Sequence, residues 1–536
     1  MPLADRHPVE VGPTPSLPIM NSLLREFWRC ILLTLGLASA HAVTLPHVFG
    51  DHMVLQSGMP VPVWGWAEPG EQITVRLGDQ LSRTTVTGRD GQWKVAIGPL
   101  PISAQPEKLT IAGRETITYH DVLVGEVWLC SGQSNMQKPV GWWRGQPIQT
   151  VNSVQELAAA DYPLIRLLNL KIAETAAPAR DIDVTQRPKQ DYPWAGWVPC
   201  SPASLDTVKF SAVGYFFGRK LYRELKIPIG LIEATAGGTH IEAWTPPAGF
   251  AADPMLADFV HAAETPKVSF QGTRISTLYY GMIHPLEPFG LRGVLWYQGE
   301  SNVYNQDGAI YAHKMAALIN SWRADWGRDF SFYFVQLPPL LYSVSRSQYV
   351  HSPEVEPIFR EAQAAAMELP QTGMVVTTDV GDPNNMHPPR KKEVGERLAL
   401  WALARDYGHT DIECSGPIYR NGSAEFNGDR VILHFSHVGR GLVSADGQPL
   451  NWFTVAGADG KYFPAAASIV GDTVLLTSPQ VTEPKQARFA WSEGASPNFF
   501  NRDGLPAVPF RTDNPFATQA PKGALPGAFI NNQQAE

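Results

Sequence analysis

Between Asp121 and Gly408 the chain repeats one unit: a short apolar run of strand length, followed by a segment whose apolar residues recur every three or four positions. The strand runs are VGEVWL, IGLIEAT, GVLWYQ, FYFVQL and MVVTTD. Helical patterns fall from Ile310 to Trp326, from Pro357 to Glu368 and from Pro388 to Tyr407. Another is capped by Ser211 and lines up Val213, Phe216, Phe217, Leu221 and Leu225 on one face. A strand apolar on both faces must be covered on both, and intervening helices supply that cover. The pattern therefore predicts an α/β fold with a parallel sheet and helices on both faces. In such sheets the ligand site lies outside the carboxyl ends of the strands.

The flanks have a different texture. From Val43 to about Tyr119, short β-rich runs such as VPVWGW and ITVRLGD are separated by turn signals, Asp90-Gly91 among them. They predict an N-terminal β-rich, sandwich-like module over 43–120, ahead of the α/β domain over 121–408. The β texture returns in RVILHF, NWFTVAG and SIVGDTVLLTSP, which predicts a C-terminal β-sandwich module over 409–515. Residues 516–536, rich in Pro, Gly, Asn and Gln, read as a flexible tail.

At the other end, Arg25 and Arg29 precede the apolar run Cys30 to Ala38, and Ala40-His41-Ala42 follows. That order is a secretory signal, so residues 1–42 read as an upstream extension and a signal peptide. The expected protein is secreted or periplasmic, with no stable membrane insertion after cleavage. Cleavage leaves Cys130, Cys200 and Cys414, an odd number from which no disulfide framework can be read. A net charge of −8 with scattered Lys and Arg leaves no basic field for a phosphate backbone, so nucleic acid is not an expected partner.

The chemistry-bearing residues stand at the strand ends. In WLCSGQSNMQ an apolar strand breaks into Gly132 and then presents Ser134. A serine hydroxyl becomes a nucleophile when a base takes its proton, and the resulting oxyanion needs donors already in place. IEATAGGTH offers Gly237 and Gly238 after the next strand, and WYQGESN offers Gln298, Glu300 and Asn302 after the one following. VGDPNNMHPP offers His387 ahead of two prolines that hold an extended approach and then open a helix with Val394, Leu398, Trp401 and Ala402 on its buried face. Each feature alone has a plain reading: a cap, a glycine turn, a polar loop end, a surface histidine. Their joint occurrence at successive strand ends favours a catalytic site over four separate plain readings.

The ordered blocks SGQSNM, GGTHIEAW, LYYGMIHPL, RGVLWYQGESN and GDPNNMHPPRKKEVGERLA resemble those of the sialate O-acetylesterase family. That family belongs to the SGNH (GDSL-like) serine hydrolases and has a flavodoxin-like sheet. With FGDHMVLQSGMPVPVWGWAEPGE the resemblance spans roughly Val43 to Trp401. It implies hydrolysis of an O-acetylated glycan, from sialic acid or a plant polysaccharide such as xylan, through a serine acyl-enzyme. No metal and no organic cofactor are implied. Position by position, the resemblance implies Ser134 as nucleophile and His387 as base. It implies the Ser134 N–H, a Gly238 N–H and the Gln298 amide as oxyanion donors.

Two positions depart from the family pattern: Asn385 stands where an Asp is usual, and Tyr280 where an Asn is usual. The first departure predicts a Ser134–His387 dyad, oriented by Asn385 or assisted by Asp382, with Asp379 capping the loop backbone. The competing function is a carbohydrate-binding protein on a hydrolase frame, in which loss of the acid has ended turnover. In either case Trp142 and Trp143 stack on sugar faces or pack the loop. Arg144 or Arg390 meets a sugar carboxylate or is simply solvated.

Overall fold

A 17-residue strand, β1 (Thr116–Gly132), joins the two kinds of texture. In this computed structural model the described residues are 42–79, 81–143, 150–185, 195–264, 269–270, 273–344 and 350–518. The signal-like segment before Ala42, Arg144 and the chain beyond Thr518 lie outside them. The first part of β1 pairs antiparallel with Ser103–Ala112, and the second part enters the central sheet. From Val122 to Gly132 every residue of β1 is buried, which is the burial an unbroken apolar run requires. The boundary expected near residue 120 thus falls inside one strand. Val54, Trp93 and Ile111 on its N-terminal side share one contiguous core with the central strands.

Five further strands build the parallel sheet: β2 (Tyr162–Asn169), β3 (Ile229–Thr235), β4 (Gly293–Tyr297), β5 (Ser331–Val335) and β6 (Thr372–Val375). Their spatial order is β2-β3-β1-β4-β5-β6, with every adjacent pair parallel. β2 was not among the expected strands. Arg166 interrupts its apolar run, and in the fold that arginine is drawn into an ion pair with Asp121 at 2.6 Å.

The helices are α1 (Ser134–Gln137), α2 (Ala212–Leu225), α3 (Glu300–Tyr304), α4 (Ile310–Trp326), α5 (Val355–Ala365) and α6 (Lys391–Arg405). Ser211 caps α2, its side chain accepting the Gly214 N–H at 3.0 Å. Register shows that both faces of the sheet are covered. Trp128 lies opposite Gly293, three residues before Trp296, so the two indoles point to opposite faces. Trp128 meets Phe217 of α2, while Trp296 meets Trp322 of α4.

The chain leaves β1 for β2, returns to β3 beside β1, and then crosses to β4 on the other flank of β1. The winding direction therefore reverses at β1, and a crevice opens outside its carboxyl end. Gly132 lies opposite both Thr235 and Tyr297, so the ends of β1, β3 and β4 stand level.

Beyond residue 409 a separate core forms around Tyr419, Leu433, Phe435, Phe453, Phe489 and Phe510, inside antiparallel five- and four-stranded sheets. A bidentate Arg511–Glu361 pair ties this region to α5. The expected tail does not begin at residue 516, because Pro515–Thr518 form a 3-10 turn with Phe516 packed on the main core. Among the described residues no helix is long and apolar enough to cross a membrane. Cys130, Cys200 and Cys414 are buried free thiols.

Candidate active site

Gly132 ends β1 with φ 131°, and a Cβ there would lie 2.2 Å from the Tyr297 carbonyl oxygen. Only glycine lets β1 finish this close to β4 and then turn outward. The turn delivers Ser134, whose Oγ lies 2.9 Å from His387 Nε2. These two residues are 253 positions apart in sequence and share the wall of a cavity of about 470 Å³. Gly237, Gly238, Lys138, Glu300 and Trp143 also line it.

Oxyanion donors are available on the main chain. Among the described residues neither the Ser134 N–H nor the Gly238 N–H has a hydrogen-bond acceptor, and both residues line the cavity. The Gly237 N–H is engaged by Gln137 Oε1 at 3.1 Å.

Gln298 is placed differently from the expected oxyanion donor. Its side chain is fully buried, and Nε2 donates to Gln133 Oε1 at 3.1 Å, Thr239 O at 3.0 Å and Asn302 Oδ1 at 2.6 Å. Its Oε1 accepts from the Tyr311 hydroxyl of α4 at 2.7 Å. Asn302 is likewise taken up by Gln298, the Ile241 N–H, Glu242 and Asp307. Both amides hold the strand ends together and do not line the cavity. Gln298→Ala is accordingly expected to lower unfolding stability by about 1–3 kcal/mol, because Tyr311 and Gln133 lose buried partners. Chemical denaturation measures it. A variant of unchanged stability whose kcat falls about 10²-fold would return Gln298 to the oxyanion site.

The loop carrying His387 is built on asparagine and aspartate turns. Asp382 Oδ1 accepts from the Asn384 N–H at 2.9 Å, and Asn385 Oδ1 accepts from the His387 N–H at 3.0 Å. Among the described residues no side chain is hydrogen-bonded to His387 Nδ1. Neither expected assistant therefore reaches the ring: Asn385 acts on the main chain of His387, and Asp382 shapes the turn before it. Asp379 forms a bidentate pair with Arg397 at 2.7 and 2.6 Å. Burial, reinforced by the positive charges of Lys138 and Lys391, brings the His387 pKa down to about 4, so the ring is neutral at ordinary pH and ready to accept a proton.

The remaining expectations divide. Trp143 lines the cavity, whereas Trp142 is 56% exposed beside it. Arg390 pairs with Glu393 at 2.8 Å and with the Asp379 carbonyl, off the cavity wall. Tyr280 lies in a helical turn and does not line the cavity.

Two functional neighbours escaped the sequence reading. Asn135, directly after Ser134, donates from Nδ2 to Glu300 Oε1 and to the Met386 carbonyl at 2.9 Å. Lys391 donates from Nζ to Asn135 Oδ1 and lies 5.3 Å from the centre of the Tyr297 ring. Burial lowers the Lys391 pKa to about 7, with Glu300 opposing the shift. The only signal for Asn135 was its place in SGQSNM, and a lysine doublet opening a helix reads as solvated.

Residues 124–404 match the family described as carbohydrate esterase, sialic acid-specific acetylesterase. Sialate O-acetylesterase of Homo sapiens is 33% identical over 406 residues, covering 69% of this chain and 72% of the human one. The Rattus norvegicus sialate O-acetylesterase is 31% identical over 424 residues, covering 69% of this chain and 74% of the rat one. The crystal structure of a carbohydrate acetylesterase from Xanthomonas citri is similar to this chain with a TM-score of 0.76 and 34% identity, covering 88% of this chain and 100% of that one.

Proposed function

The chain belongs to the sialic acid-specific acetylesterase family of carbohydrate esterases, and from that premise we propose that it releases acetate from O-acetylated sugars through an acyl-enzyme on Ser134. It is a carboxylic ester hydrolase. The observation that carries the mechanism is the 2.9 Å contact between Ser134 Oγ and a neutral His387 at the cavity wall.

In the forward step His387 Nε2 takes the Ser134 proton while Oγ bonds to the acetyl carbonyl carbon. The oxyanion is held by the Ser134 and Gly238 N–H groups. The carbon–oxygen bond to the sugar then breaks, and the sugar oxygen leaves with the proton from His387. Water repeats the sequence: it gives a proton to His387, bonds to the acetyl carbon and displaces Ser134 Oγ, which recovers the proton as acetate departs.

The finer fold assignment is an SGNH, flavodoxin-like hydrolase domain whose first strand continues out of an N-terminal β-rich region, followed by a C-terminal β-sandwich module. The strand order and the separate C-terminal core support it. Export to the periplasm or the medium is supported by the signal-like order of residues 20–42. The substrate is an O-acetylated glycan, either a sialic acid or a neutral plant polysaccharide such as xylan.

The test is acetate release measured side by side on O-acetyl sialosides and acetylated xylo-oligosaccharides. Release from one of them is expected, and the preferred one names the sugar class. No release from either, with glycan binding retained, would overturn hydrolysis in favour of a binding protein.

A further inference from the structure

We infer that Asn135 is a positioning residue, whose carboxamide clamps the nucleophile turn to the base loop and so orients His387 through the main chain. The inference rests on the Ser134–His387 reading. A triad carboxylate holds the histidine by its second ring nitrogen. Here that nitrogen has no side-chain partner among the described residues, so something else must fix the 2.9 Å contact.

Asn135 is one residue after Ser134, and Met386 is one residue before His387. The bond from Asn135 Nδ2 to the Met386 carbonyl, 2.9 Å long, joins the two segments one peptide away from each reacting side chain. On the far side of the loop, Asn385 Oδ1 takes the His387 N–H. The base is thus held by main-chain bonds on both sides.

The carboxamide is also locked against rotation. Its oxygen receives the Lys391 ammonium from the start of α6, and its nitrogen gives to the Glu300 carboxylate from the start of α3. With Lys391 protonated and Glu300 ionised, flipping the amide would set NH2 against an ammonium and C=O against a carboxylate. Asn135, Glu300 and Lys391 are 0%, 2% and 3% exposed, so water cannot rescue the wrong orientation. Glu300 Oε2 is buried without a partner, an arrangement poorly suited to stability alone. Lys391 and Glu300 are joined through the amide, and the geometry of their two bonds sets its direction.

The test uses the full chain with a small activated acetyl ester at the pH plateau. Asn135→Ala is expected to lower kcat by about 10²-fold with KM little changed, the effect of a base displaced by about 1 Å. Labelling of Ser134 by a fluorophosphonate should slow in parallel. Asn135→Asp is isosteric and keeps the Lys391 partner but cannot donate to the Met386 carbonyl. It should lose kcat as well, and it stands in if the alanine variant does not fold. A folded variant of either kind that keeps wild-type kcat, or changes KM alone, would overturn the clamp. Ser134→Ala is measured alongside. If it is inactive while the Asn135 variants are normal, only the clamp fails; if it stays active, the reading of the site itself fails.

Discussion

Ser134→Ala is expected to reduce deacetylation turnover by about 10⁴- to 10⁶-fold while the protein stays folded. The side chain makes one hydrogen bond, to His387 Nε2, so its removal leaves no buried network broken. What disappears is the atom that carries the acetyl group. The oxyanion donors survive on the main chain, and with substrate binding they can sustain only a residual rate above that in water. Acetate release measures the loss, and mass spectrometry after fluorophosphonate treatment locates the label. Wild-type turnover in the alanine variant, or a label on another residue, would remove Ser134 from the mechanism.

His387→Ala is expected to be as severe, because nucleophile and base act as one unit and their losses do not add. The pH profile of the unaltered enzyme gives an independent reading of the same residue. Only the neutral imidazole can take the Ser134 proton. A pKa lowered to about 4 keeps that form dominant down to about pH 4, so kcat/KM should hold through mildly acidic pH and fall below it. A histidine at its ordinary value would put the fall near pH 6.5. An acid limb there would mean that water or substrate relieves the burial of the ring, or that another group is the base. Asp382→Ala should leave the rate close to wild type, since its carboxylate is bonded to the Asn384 N–H and not to the ring.

The active-site residues that reading along the chain located are those announced by local signals. Ser134 follows a strand that must stop at a glycine, Gly238 sits in a glycine pair, and His387 precedes two prolines that lead through Arg390 into α6. In each case the cue is the periodicity of a few neighbouring residues, which the backbone obeys wherever the segment lies. The strand–helix alternation is legible for the same reason. Strand β2 was lost because a charged residue inside an apolar run looks like a loop until its partner, Asp121, is found 45 positions earlier.

Gln298 shows the opposite situation. Its place at a strand end was correct, but the direction of its amide depends on Tyr311 from α4 and Thr239 from the loop after β3. The same holds for Lys391 and Lys392: adjacent and alike in sequence, one is buried against Asn135 while the other reaches Glu156 from a half-exposed position. Asn385 and Asp382 stand within five residues of His387 in sequence, yet both bond to backbone N–H groups within two residues of themselves and not to the imidazole.

The sequence by itself determined the α/β pattern and the strand ends that carry Ser134 and His387, because strand and turn propensities are satisfied within a few residues. Only the tertiary structure decided which polar groups face the cavity and which hold its walls. A buried donor or acceptor must pair with whatever distant group the closed fold brings within about 3 Å, and a hydrogen bond made to one partner is withdrawn from every other.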